Sequence, residues 1–313
     1  MLRHIKLFSI LGVVSFLIGF SGLVFSPLLG QDTNTSHSQG RVFSWPVNTH
    51  LKLRISSTFG ESRLDHFHNG LDIAGKNLKV YPMVDGVALW KTEAIHKPGE
   101  IPFGGGKTII VDSGEHWTGF MHLDSITPIP QDANIKRENA LGRSGDTGHS
   151  GGAHLHFFIY EKKTRKIFNP LLLLESNSLY KNSTAPRVTA YGIKLPDRFT
   201  QLNIKRSFRM SQDYPIYAKL VDSATGRERW GVYKIDVYKN ENMDKPIRSI
   251  VFDYIQYRNG QWQTSGGLPF NEVYFENWYR FGTGFKKSGK LIWVASGYQG
   301  PFKKEIIQLD ITD

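Results

Sequence analysis

The chain has 313 residues, no cysteine and a formal net charge of +11. The missing thiols exclude disulfides, thiolate zinc sites, a cysteine nucleophile and a lipid-modified cysteine behind the leader, so any transition-metal site must use His and carboxylate ligands. A hydrophobic fraction of 40% with 13% aromatics excludes a disordered chain and fits about two domains, and the basic excess favours an anionic partner: nucleic acid, phospholipid or an acidic wall polymer.

Arg3, His4 and Lys6 make a basic start, and a nearly uncharged run follows from Leu7 to Gly30. Residues 1–30 read as a secretory signal peptide or as an uncleaved N-terminal membrane anchor, since about 20 apolar residues suffice to span a bilayer. Either way the basic flank stays in the cytoplasm and the remainder is exported, to the periplasm or cell envelope. Residues 31–44, rich in Ser, Thr and Asn at first, form a linker.

Beyond the linker, Leu51–Ile55 alternates apolar and polar residues, as a half-buried strand does. Short strands follow across Val80–Trp90 around the Asp85-Gly86 turn, then Lys107–Val111, Trp117–Leu123 and His154–Tyr160. Leu171–Leu174 reads as a short helical end. These elements predict a compact antiparallel β domain over residues 45–181. Asn182–Arg187 marks a boundary, and strand-like segments at Arg187–Ile193, Tyr214–Val221, Gly231–Tyr238, Pro246–Tyr257 and Leu291–Tyr298 predict a β-sandwich, Ig-like, over residues 186–313. Its aromatic residues, among them Trp230, Tyr254, Tyr257 and Trp262, are assigned to packing rather than to a carbohydrate platform.

The chemistry concentrates before that boundary, because no histidine follows His156. His154 and His156, at i and i+2 in a strand, share one face. Upstream, His68 and Asp72 flank an Asn69-Gly70 turn. Joining the clusters gives a His, Asp, His set able to hold one zinc ion with a position left for water. His122, at the end of an apolar strand, supplies what a hydrolytic zinc site also needs, a group for proton transfer or oxyanion stabilisation. The glycines at 145, 148, 151 and 152 suit a wall that a substrate backbone approaches. The Gly104-Gly105-Gly106-Lys107-Thr108 run is not a phosphate-binding loop, because Ile101 stands where its first glycine is required and a strand follows.

The ordered segments Phe59-Gly60-Glu61…His68-Asn69-Gly70-Leu71-Asp72, Phe120-Met121-His122-Leu123 and Gly145-Asp146-Thr147-Gly148-His149-Ser150-Gly151…His154-Leu155-His156 resemble the lysostaphin and LytM type of zinc endopeptidases. The resemblance spans about Trp45 to Leu174. It implies an antiparallel β groove, one Zn2+ held by His68, Asp72 and His156, and His122 and His154 as catalytic histidines. It further implies the peptide part of peptidoglycan as substrate, with Gly106, Lys107, His149 and Gly151 along the groove. This chain departs from the family at Gly106-Lys107, Phe120-Met121 and Phe158, positions that bear on cleavage preference. A competing expectation is a catalytically silent LytM-like protein that binds the wall and regulates other hydrolases. Nucleic acid is set aside as partner, for want of a recognition-helix motif or an Arg-rich stripe.

Overall fold

The structure is a computed structural model that describes residues 43–92, 104–176, 178–210, 212–240, 242–282 and 284–312. The expected leader or anchor lies outside the described residues, as does the linker up to residue 42. Phe43 and Ser44, at the linker's end, are already buried. Among the described residues no helix is long and apolar enough to cross a membrane.

The fold is almost entirely antiparallel β. Its first part runs through β1 (Arg54–Ser57), β2 (Leu71–Ala74), β3 (Lys79–Val80), β4 (Gly86–Thr92), β5 (Lys107–Asp112), β6 (His116–Ile126), β7 (Asn134–Ile135), β8 (Gly142–Ser144), β9 (His154–Glu161) and β10 (Lys166–Phe168), then a 3-10 turn at Pro170–Leu172. β9 is the spine. One of its edges pairs with β6; along the other, β2 faces its first half and β10 its second. Its odd-numbered residues Leu155, Phe157 and Ile159 are fully buried in the core, with Phe120, Ile109 and Ile73. Its even-numbered residues therefore form the opposite face, which His154 and His156 share.

The second part comprises β11 (Arg187–Lys194), β12 (Phe199–Leu202), β13 (Phe208–Arg209), β14 (Ile216–Val221), β15 (Lys234–Lys239), β16 (Arg248–Val251), β17 (Tyr254–Arg258), β18 (Gln261–Thr264), helix α1 (Phe270–Val273), β19 (Tyr274–Phe275), β20 (Trp278–Arg280), β21 (Gly289–Ser296), β22 (Phe302–Leu309) and β23 (Ile311–Thr312). A five-stranded sheet, β12-β11-β14-β20-β19, and a four-stranded sheet, β16-β15-β21-β22, make its body. They meet at Trp293, whose indole N–H donates to the Tyr191 hydroxyl at 2.9 Å and whose ring lies against Phe281.

The expected single strand Pro246–Tyr257 is two strands. β16 stays beside β15, whereas β17 crosses over, pairs with β10 and, with β18, extends the sheet that carries the histidines. The break falls at Phe252, which is fully buried, stacks on Tyr274 and lies edge-on to Phe67. Burying that ring in the joint turns the chain out of one sheet and into the other. Hydrogen bonds across the joint include Asn169 Nδ2 to the Phe252 carbonyl (3.1 Å), Trp230 Nε1 to the Ile55 carbonyl (2.9 Å) and the Tyr274 hydroxyl to the Gly60 carbonyl (2.9 Å).

Candidate metal centre

Asp72 stands directly opposite His156 across the β2–β9 ladder, so both side chains leave the sheet on one face. His68 precedes β2 rather than lying in it, and the turn at Gly70 folds it back over the strand. Only glycine fits there: a Cβ at Gly70 would lie 2.2 Å from the Phe157 carbonyl oxygen and 2.8 Å from the His156 ring. The result is three buried side chains whose potential ligand atoms converge. His68 Nε2 is 3.1 Å from Asp72 Oδ1 and 3.0 Å from His156 Nδ1, and His156 Nδ1 is 2.9 Å from Asp72 Oδ1.

His68 donates from Nδ1 to the Thr58 carbonyl at 2.7 Å, which fixes the tautomer and leaves Nε2 as a bare donor to a cation. Burial lowers the pKa of His156 to about 4, against the pull of Asp72, so this ring is neutral. Burial alone would raise Asp72. The two imidazoles packed against it, His68 and His156, outweigh that and hold the carboxyl well below the usual range. Two imidazole nitrogens and one carboxylate form the donor set that zinc takes. Ligands at 2.0–2.1 Å from a tetrahedral ion stand about 3.3 Å apart, close to the spacing found here.

Two further histidines border this cluster. His154 Nε2 is 3.7 Å from Asp72 Oδ1, and its Nδ1 donates to the Gly152 carbonyl at 2.7 Å. The His122 ring lies 4.7 Å from that of His154 and 6.0 Å from that of His156. His122 donates from Nδ1 to the Thr147 carbonyl at 2.8 Å, and burial lowers its pKa despite that bond. In both rings a backbone carbonyl takes the Nδ1 proton, and both rings lie beside the three converging side chains.

The groove residues differ in what they do. Gly106 and Gly148, both at positive φ, are where two loops cross: a Cβ at Gly106 would be 2.4 Å from the Thr147 backbone, and one at Gly148 would be 2.3 Å from Gly106 N. The Lys107 N–H donates to Thr147 Oγ1 at 2.9 Å, which sets the carbonyl that orients His122. The Lys107 ammonium turns away to the Asp124 carbonyl at 2.7 Å. His149 and Gly151 are exposed, and a Cβ at Gly151 or Gly152 would meet nothing within 4 Å. Close backbone approach therefore applies to Gly145 and Gly148, not to the pair before Ala153.

Sequence pattern alone does not single out Arg63, Thr58 or Thr147. Arg63 Nη2 donates to Asp72 Oδ2 at 2.9 Å, occupying the carboxylate oxygen turned away from the histidines. The one hint of it is a basic residue five positions before His68.

Residues 66–170 match the family model described as Peptidase family M23; a second model, without a description, matches residues 194–286. The peptidoglycan DD-endopeptidase ShyA of Vibrio cholerae serotype O1 is 30% identical over 133 residues, 40% of this chain and 29% of that protein. An uncharacterized metalloprotease of Buchnera aphidicola subsp. Baizongia pistaciae is 30% identical over 139 residues, 42% of this chain and 34% of that one. The chain thus spans about a third of the length of these curated relatives. Among solved structures, a zinc-containing peptidase from Vibrio cholerae is 27% identical with a TM-score of 0.32, covering 38% of this chain and 36% of that one. The catalytic domain of lysostaphin from Staphylococcus simulans is 24% identical with a TM-score of 0.33, covering 38% and 90%. All five histidine and aspartate side chains at and beside the cluster fall inside residues 66–170, the stretch that matches Peptidase family M23.

Proposed function

We propose that the protein is a zinc-dependent endopeptidase that hydrolyses an amide bond in the peptide part of peptidoglycan, acting in the cell envelope after export. The observation that carries this reading is the completeness of the set: three buried ligand atoms within 4.8 Å of one another and two more imidazoles beside them. His68, Asp72 and His156 would hold the ion. Zinc, when bound, lowers the pKa of water to about 7 and polarises a carbonyl.

The protein's own groups do the rest. His154, its Nδ1–H anchored on Gly152, accepts a proton at Nε2 and passes it towards the leaving amine. His122 is held in the same tautomer by Thr147, so its neutral Nε2 accepts; it donates to a developing oxyanion only when that nitrogen is protonated. The parts spanning residues 45–181 and 186–313 act as one unit, with peptidoglycan rather than nucleic acid as the anionic partner.

The test is incubation of the exported chain with purified peptidoglycan, followed by mass spectrometry of the muropeptides, with His156→Ala and chelator-treated protein alongside. Fragments released by wild type alone support the reading and identify the bond. Wild type that binds zinc stoichiometrically yet releases nothing would turn the assignment towards a silent regulator of other hydrolases.

A further inference from the structure

Glu61 lies outside the cluster but touches the support of two of its members. Its Oε1 accepts from the Thr58 N–H at 2.6 Å and from the Thr58 hydroxyl at 2.8 Å. Thr58 is the residue whose carbonyl orients His68. Its Oε2 accepts from the Ser57 hydroxyl and lies 3.5 Å from Arg63 Nη1. Arg63, in turn, bonds both Ser57 Oγ and Asp72 Oδ2 at 2.9 Å. One carboxylate thus stands behind the histidine ligand on one side and the aspartate ligand on the other.

The last contact of that carboxylate comes from the second part of the chain. The Gly231 N–H donates to Glu61 Oε1 at 2.9 Å. The approach is close: a Cβ at Gly231 would lie 2.7 Å from Glu61 Cγ and 3.2 Å from the Tyr279 hydroxyl. That hydroxyl accepts from the Val232 N–H at 3.1 Å, and Trp230, on the other side of Gly231, is tied to the Ile55 carbonyl. The Ser62 hydroxyl also bonds the Glu276 carbonyl. The loop carrying Glu61 and Arg63 is therefore clasped from the C-terminal part over several consecutive residues.

We propose that Glu61 is a positioning residue for the metal centre and that the C-terminal β part completes that centre by holding Glu61 through Gly231. This rests on the zinc reading above. Groups that orient metal ligands from behind commonly change metal affinity about 10–100-fold when removed, and a carboxylate bridging the supports of two ligands belongs with them. The second β part then has a role in the chemistry without touching substrate: it sets how tightly the first part holds its ion.

The experiment measures zinc affinity of the full chain by competition with a chromophoric chelator, and the visible spectrum of the cobalt(II)-loaded protein. Wild type, Glu61→Gln, Gly231→Ala and Gln256→Ala are compared, each first shown to be folded by circular dichroism. Glu61→Gln should weaken zinc binding about 10–100-fold and shift the cobalt bands. Gly231→Ala, whose new methyl presses on Glu61, should weaken it in the same direction. Gln256→Ala removes a 2.6 Å bond from β17 to the Thr164 carbonyl, a contact between the two parts away from Glu61, and should leave affinity within about twofold. Zinc affinity and cobalt bands unchanged in Glu61→Gln would overturn the positioning role. Unchanged affinity in Gly231→Ala, or an equal loss in Gln256→Ala, would overturn the dependence on the C-terminal part. Should Glu61→Gln not fold, Gly231→Ala still decides the matter. Wild type that takes up no zinc would sink the metal reading itself, an outcome distinct from all of these.

Discussion

His122 and His154 hold their rings 4.7 Å apart, although strand alternation would aim them at opposite faces of the sheet. Met121 stands opposite His156 in the β6–β9 ladder, so Met121 takes the face that His154 and His156 share, and its neighbour His122 should point into the core. A register shift in the β5–β6 pairing falls at this point, and His122 has φ of 58°. A bulge with a left-handed residue re-aims the side chain, at a cost in backbone strain of order 1–3 kcal/mol that sites of function tend to carry.

The first prediction follows. His122→Ala should lower turnover about 10²–10⁴-fold while one zinc ion per chain stays bound. His156→Ala should lose the metal and the activity together. Metal analysis by inductively coupled plasma mass spectrometry beside a peptidoglycan release assay separates the two. Loss of stoichiometric zinc in His122→Ala would make it a ligand instead.

Gly70 gives the second. A methyl there has the Phe157 backbone oxygen at 2.2 Å and the His156 ring at 2.8 Å, neither of which is the far end of a flexible side chain. Gly70→Ala should cost about 1–3 kcal/mol by overpacking, lowering the melting temperature by roughly 2–12 °C, and should weaken zinc binding because the displaced ring belongs to the proposed ligand set. A calorimetric scan and a chelator titration check both; retention of wild-type zinc affinity would show that the turn does not set the ligand.

Metal removal gives the third. Ligands held apart from a cation repel or must share protons, whereas an ion that binds only the folded state stabilises it by mass action, about 2.7 kcal/mol at a hundredfold excess over its dissociation constant. Excess EDTA should lower the melting temperature by roughly 5–11 °C, and zinc should restore it. His156→Ala should melt at the same temperature with or without EDTA.

How much of this was legible beforehand differs by layer. The histidine strand was, because His154 and His156 obey the period of two and Phe157-Phe158-Ile159 mark burial. His68 and Asp72 were legible as a pair flanking the Asn69-Gly70 turn, where their convergence arises. The phase of His122 was not: alternation in Phe120-Met121-His122-Leu123 carries no sign of the bulge, which depends on the crossing of Gly106 with Gly148 far along the chain. Nor was the crossover at Phe252, since β16 and β17 read as one strand-like segment until a buried ring separates them. β22 was missed because Lys303, Lys304 and Glu305 hide a strand whose inward residues, Ile307 and Leu309, are buried. Glu61, quoted only as part of a motif, acquires its role from Gly231, 170 positions away, a relation no local pattern could carry.

Asp222 gives the last prediction, on stability against pH. It is 1% exposed, and its Oδ2 accepts from Asn182 Nδ2 at 2.5 Å with the Tyr180 hydroxyl at 3.5 Å. Burial, outweighing these bonds and one from the Ser223 N–H, raises its pKa to about 7. An acid whose pKa is higher in the folded state is neutral there while the unfolded chain has already released its proton. Below about pH 4 both states are protonated and the residue is neutral in its effect. Between about pH 4 and 7 only the unfolded state ionises, so stability falls as pH rises; above 7 the penalty is constant, up to about 4 kcal/mol for a shift of this size. Asp222→Asn keeps an oxygen toward Asn182 and removes the ionisation. The difference in unfolding free energy between variant and wild type should be small at pH 4, grow in favour of the variant to pH 7 and then level off, measured by urea unfolding at each pH with EDTA present in both. A difference that stays flat across that range would mean that Asp222 ionises in the folded protein as freely as it does in water.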